Sequence, residues 1–167
     1  MECLLSDLKE VMQQELVAYK EILSKSKQKK EALLHNDVTG LDRIVALEWN
    51  LVKTIRELEK EREDLIEKIA LACGLPGGDL RLDTIAEMPK GGMKAEFIQL
   101  KSELSHVITE VESLNMVNRG LVDTHLQYSA YCVNLLTGHI NTLNTYSHSG
   151  RMSETQENAT LILDRMV

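Results

Sequence analysis

Apolar residues recur at helical spacing along three long stretches of this chain, Leu5 to Leu33, Leu41 to Ala72 and Phe97 to Leu143, with two short punctuated joints between them. In the first stretch Leu5, Leu8, Met12, Tyr19, Ile22 and Leu33 repeat on one face, and Ser6 or Asp7 is placed to cap its start. The second carries Leu41, Ile44, Leu51, Ile55, Leu58, Leu65, Ile69 and Ala72, interrupted in register by Glu48 and Arg62. Its other face, from Lys53 to Lys68, mixes charges of both signs, as a solvated helix surface does. Read at alternating steps of three and four, the third stretch gives Phe97, Leu100, Leu104, Val107, Val111, Leu114, Asn118, Leu121, His125, Tyr128, Cys132 and Leu135. That is an a/d seam about five heptads long.

The joints are written in turn residues. Asn36-Asp37-Val38-Thr39-Gly40 breaks the first helix and caps the second, so short a connection that the two must pair antiparallel. Cys73-Gly74-Leu75-Pro76-Gly77-Gly78 stops the second helix with glycine after its end and proline just beyond. Before Met88-Pro89-Lys90-Gly91-Gly92, the residues Leu80, Leu82, Ile85 and Ala86 suffice for a turn or two of helix, a small elbow packed on the hairpin end. The expected fold is all-α: an elongated antiparallel bundle of three long helices, 1-36, 38-73 and 93-146, with the elbow over 74-92. Residues 1-150 form that bundle, and 151-167 form a tail or a short amphipathic helix.

Composition narrows the function. Aromatic residues are only 4% of the 167, so the core is aliphatic, and the net charge of -7 opposes a general affinity for nucleic acid or anionic lipid. A protein partner is expected. Cys3, Cys73 and Cys132 are odd in number and far apart, suggesting neither a disulfide framework nor a zinc cluster. An acidic N-terminus and the lack of a membrane-length apolar run lead us to expect a cytoplasmic protein.

No catalytic constellation is expected, and no cofactor. Glu103-x-x-His106 has the spacing used in diiron bundles, but such sites need a second copy and further glutamates, and the sequence holds no second copy. A metal site is therefore not expected. The glycines from Gly74 to Gly78 follow a helix and lack the Gly-Lys-Ser/Thr ending of a phosphate loop. Asn115 and Asn118 are of more interest, because an Asn on a helical seam fixes register or partner choice, unless Asn118 simply reaches solvent past the hairpin edge.

Leu58-Glu59-x-x-Arg62, the glycine-rich elbow, Leu114-Asn115-x-x-Asn118-x-x-Leu121, and Thr145-Tyr146 followed by Gly150 occur in this order over nearly the whole chain. Together they resemble the FlgN family of flagellar export chaperones. The resemblance implies a non-enzymatic, cytoplasmic chaperone of the flagellar type III export apparatus. Such a chaperone binds the C-terminal segment of the hook-filament junction proteins FlgK and FlgL, prevents their self-association and delivers them to the membrane export gate and export ATPase. The Tyr-Gly pair common in that family is Tyr146-Ser147 here, which weakens the expectation that Tyr146 docks at the gate.

Segment lengths suggest where a client would bind. A third helix of about 50 residues outlasts hairpin helices of about 30 to 35, leaving roughly 15 residues past their end. Tyr128, Tyr131, Leu135, Leu136, Ile140 and Leu143 lie on adjoining strips of that end and form the expected client surface. The chain alone should be a monomer or weak homodimer. A constitutive coiled-coil scaffold, with no client and no exposed seam, is the alternative.

Overall fold

The computed structural model describes residues 2–74, 84–85, 88–89 and 92–137. Three helices occupy nearly all of them: α1 (Glu2–Leu34), α2 (Val38–Ala72) and α3 (Gly92–Leu136). Among the described residues there is no strand. The chain divides into two compact units, Met1–Arg119 and Gly120–Val167, and each is treated by itself.

The α1–α2 connection is shorter than the five-residue break its sequence suggests, because capping residues perform both jobs at once. Asn36 takes the left-handed conformation, φ 53°, and ends α1. The Asp37 amide then donates to Ala32 O at 2.9 Å and the Asn36 amide to Leu33 O at 3.2 Å, the paired bonds of a Schellman turn with Asn in the usual place of Gly. Asp37 at once caps α2, its Oδ1 accepting from the Gly40 amide at 2.9 Å. A side chain at position 40 would put its Cβ 2.1 Å from Asp37 Oδ2, so glycine here makes room for the cap. At the far end of α2, Gly74 (φ 71°) follows the C-cap Cys73, as the glycine pattern predicts.

Within Met1–Arg119 the fold is a three-helix bundle. Tyr19 meets Glu59 and Ser26 meets Glu48, so residue numbers fall along α2 as they rise along α1, and the pair is antiparallel. Lys9 meets Glu96, Lys20 meets Glu103 and Ser26 meets Asn118, so α3 runs parallel to α1. The backbones of α1 and α2 pack closely, while α3 stands farther off and is held through its side chains. The core joins Leu8, Met12 and Ile22 of α1 and Ile55, Leu65 and Ile69 of α2 to Phe97, Leu100, Leu104, Val107 and Val111 of α3. Ile85, in the elbow between α2 and α3, is fully buried in the same cluster. The elbow residues Leu80, Leu82 and Ala86 lie outside the described residues.

The a/d seam is buried through Val111 and again at Asn118. Val107→Lys should bury a charge with no designed partner, and Phe97→Ala should cost about 3–5 kcal/mol through cavity formation. Both should lower the thermal midpoint sharply. Leu136→Ala, at an exposed position, should change stability by less than about 0.5 kcal/mol. Equal melting of all three would refute this packing.

Candidate functional site

Two polar layers cross the bundle, and they account for the residues that break the apolar register of α2. In the first, Arg62 Nε donates to Glu15 Oε1 at 2.9 Å and Oε2 at 3.1 Å, with the Glu15 side chain 2% exposed and that of Arg62 26%. Beside them the Tyr19 hydroxyl donates to Glu59 at 2.7 Å. Burial raises the Glu15 pKa against the opposing pull of Arg62. Burial, and then the bond to Glu59, raise the Tyr19 phenol well above its usual range. These groups border a cleft of about 200 Å³ that Leu104 and Ile108 of α3 complete.

In the second layer all three helices meet at Ser26, which is fully buried. Its hydroxyl donates to Glu48 at 3.1 Å and lies 3.4 Å from Asn115 Oδ1, and Lys29 pairs with Glu48 at 2.6 Å. Asn118 is buried, 3% exposed, and its Nδ2 donates to the Ser26 backbone carbonyl at 2.9 Å. It therefore does not reach past the hairpin edge; it ties α3 to α1. Its Oδ1 has no partner among the described residues. Asn115 is exposed on the rim of the same layer.

Glu103 is engaged at the surface, accepting from Gln99 at 2.9 Å and pairing with Lys20 at 3.5 Å, and the Gln99 bond is the main cause of its lowered pKa. His106 is exposed. Among the described residues no three metal-binding side chains gather, and no helix is long and apolar enough to cross a membrane.

The second unit has a different character. From Gly120 to Thr137 none of the described residues is buried, yet Val122, Leu126, Tyr128, Tyr131, Val133, Leu135 and Leu136 are all exposed, Tyr128 to 67% and Leu136 to 73%. Tyr128, Tyr131, Leu135 and Leu136 of the expected client surface are thus on an open helix. The remaining candidates, Ile140, Leu143 and Tyr146, lie outside the described residues. A second stripe, Val122, Leu126, Val133 and Leu136, adjoins the a/d seam, and of these only Leu136 belongs to the expected client surface. Its spacing of four, seven and three was visible in the sequence. The Tyr128 phenol is raised chiefly by a hydrogen bond with Cys132, one turn along the helix. A further exposed stripe, Val38, Val45 and Trp49, runs along the start of α2.

The polar layers yield three predictions. Arg62→Met should leave the Glu15 carboxylate buried and unpaired, costing about 3 kcal/mol, the lower end of the usual range because Arg62 keeps some contact with water. In the wild type the raised Glu15 pKa means the folded state binds more protons than the unfolded one above about pH 4.5. Stability relative to Glu15→Gln should accordingly fall as pH rises through that window, and a rise would mean that Arg62 outweighs burial. Asn118→Leu, nearly isosteric, exchanges one hydrogen bond for apolar burial and removes the orphan oxygen. It should raise stability by about 1 kcal/mol in denaturant titrations.

A comparison with protein families matches residues 1–154 to the family described as FlgN protein. No curated protein and no solved structure matched the chain. The match covers both polar layers and the exposed end of α3, and with it the order of motifs and the all-helical fold agree: the chain belongs to the FlgN family of flagellar export chaperones.

Proposed function

We propose that the chain is a chaperone for the hook-filament junction proteins FlgK and FlgL, holding their C-terminal segment against the end of α3 and passing them to the export apparatus. The observation that carries this reading is the run from Gly120 to Thr137, a helix with seven exposed large hydrophobic residues and no buried one. A solvated helix does not keep such a face without use, and a patch of this kind marks an interaction surface. An amphipathic client helix would lay its apolar edge along Tyr128, Tyr131, Leu135 and Leu136, with Leu126 and Val133 as neighbours, in the helix-in-groove mode. A few of these side chains would supply most of the affinity.

In this reading residues 1–150 hold the working bundle, and Ile140, Leu143 and the tail from 151 onward extend the client surface. Tyr146 is the candidate contact to the export gate. Asn115 and Asn118 act on register, since they meet α1 at Ser26. The free chaperone is a monomer or weak homodimer in the cytoplasm and works without a cofactor.

Calorimetry with a peptide of the client's C-terminal segment tests the proposal. The wild type should bind with a negative heat-capacity change as apolar surface is buried. Leu135→Asp with Leu136→Asp, or deletion from Tyr146 onward, should weaken binding tenfold or more, about 1.4 kcal/mol, with the melting of the bundle unchanged. Full affinity in both variants would remove the client from this end of the chain. A tight homodimer that the aspartate variant dissolves would favour a constitutive scaffold.

A further inference from the structure

A pair of antiparallel helices has a groove on each side. On one side of the α1–α2 hairpin sit Phe97, Leu100, Leu104 and Val107 of α3. Among the described residues, the groove on the other side is lined by α1 and α2 alone and holds about 650 Å³. Its floor is apolar: Val17, Ala18, Leu51 and Leu58. Val17, in the middle of α1 and 59% exposed, has no counterpart to cover it in a three-helix bundle. Glu10 and Glu21 stand at the rim, and among the described residues no lysine or arginine lines the groove. Neither glutamate takes part in an ion pair among the described residues. They are eleven residues apart on α1, about 16 Å or three turns of helix.

We propose that this outer groove docks an amphipathic helix of another protein, about three turns long, whose apolar edge is flanked by Lys or Arg. The charge of the rim selects that occupant. A helix laid on Val17, Leu51 and Leu58 brings the side chains flanking its apolar edge toward Glu10 and Glu21, where cations are attracted and carboxylates repelled. The chain's own residues 151–167 fit poorly, since Arg151 and Arg165 are outweighed by Glu154, Glu157 and Asp164. A second copy carries a net charge of -7. The groove shares no residue with the proposed client surface.

Two fluorescent peptides of about 12 to 15 residues, sharing one leucine face but flanked by Lys/Arg in one case and Glu in the other, test this on the full-length chain by anisotropy. The basic peptide should bind and the acidic one should not, and added salt should weaken the binding. Val17→Asp should reduce the affinity tenfold or more. Glu10→Lys with Glu21→Lys should do the same and admit the acidic peptide. Leu135→Asp with Leu136→Asp should leave binding unchanged, which separates this surface from the client site. These groove positions are at the surface, and unchanged melting curves certify that both groove variants fold. Failure of the basic peptide to bind, equal binding of both peptides, or full affinity in the groove variants would overturn the proposal. So would a homodimer that Val17→Asp abolishes, or tighter peptide binding once residues 151–167 are removed, since either result gives the groove to another occupant.

Discussion

The Glu15 carboxylate, enclosed between α1 and α2, is the constraint on which the bundle's register depends. An ionised carboxylate in that position is tolerable only with a cation beside it, and Arg62 is the residue that the antiparallel pairing brings there. Sliding α2 by one turn would set Glu15 against Leu58 or Ile66 and leave the charge unpaired, a loss larger than any gain from repacking aliphatic side chains of similar size. The Lys29–Glu48 pair imposes the same register about four turns away. Between these two points the aliphatic residues need only be of suitable volume, which explains how a core with so few aromatic rings specifies a single alignment.

Once α1 and α2 are fixed, α3 is positioned by a smaller set of groups. Its apolar residues from Phe97 to Val111 cover one groove of the hairpin, and the Asn118 amide binds a backbone carbonyl of α1 at the level of Ser26. A polar contact at that level costs stability relative to an aliphatic one but is met in only one register, whereas aliphatic packing alone would tolerate several. The chain belongs to a family of flagellar export chaperones, and a chaperone by definition binds another protein and releases it. A rigid hairpin with apolar helical surface left open is a suitable platform, because its own fold does not consume the surfaces offered to others.

Much of this was legible in the sequence. Three helices, an antiparallel first pair, the glycine stop after Cys73 and the core face of α3 through Val111 all follow from periodicity and turn chemistry, since these are local properties of the chain. The FlgN motifs were readable for the same reason, as ordered residues at fixed spacing. In the elbow the sequence marked Ile85 as apolar, but not that its burial would be complete, because burial depends on what approaches from elsewhere.

The sequence by itself therefore determined the helices, the joint between the first two, the glycine stop of α2 and which residues are apolar, but not the start of α1, since Ser6 and Asp7 lie inside a helix that begins at Glu2. Only the tertiary structure decided which apolar residues are covered. Glu48 and Arg62 read as interruptions along α2 and become partners of Lys29 and Glu15 once α1 lies opposite. Asn118 and Tyr128 occupy the same seam in sequence, yet one is buried against Ser26 and the other is exposed. Val17 lies off the apolar face read from the sequence and Leu58 lies on it, yet both line an acidic-rimmed groove because α3 packs on the other side of the hairpin. The physical reason is the same throughout: periodicity records the direction of a side chain about its own helix, while burial and charge pairing depend on the neighbouring helix that meets it.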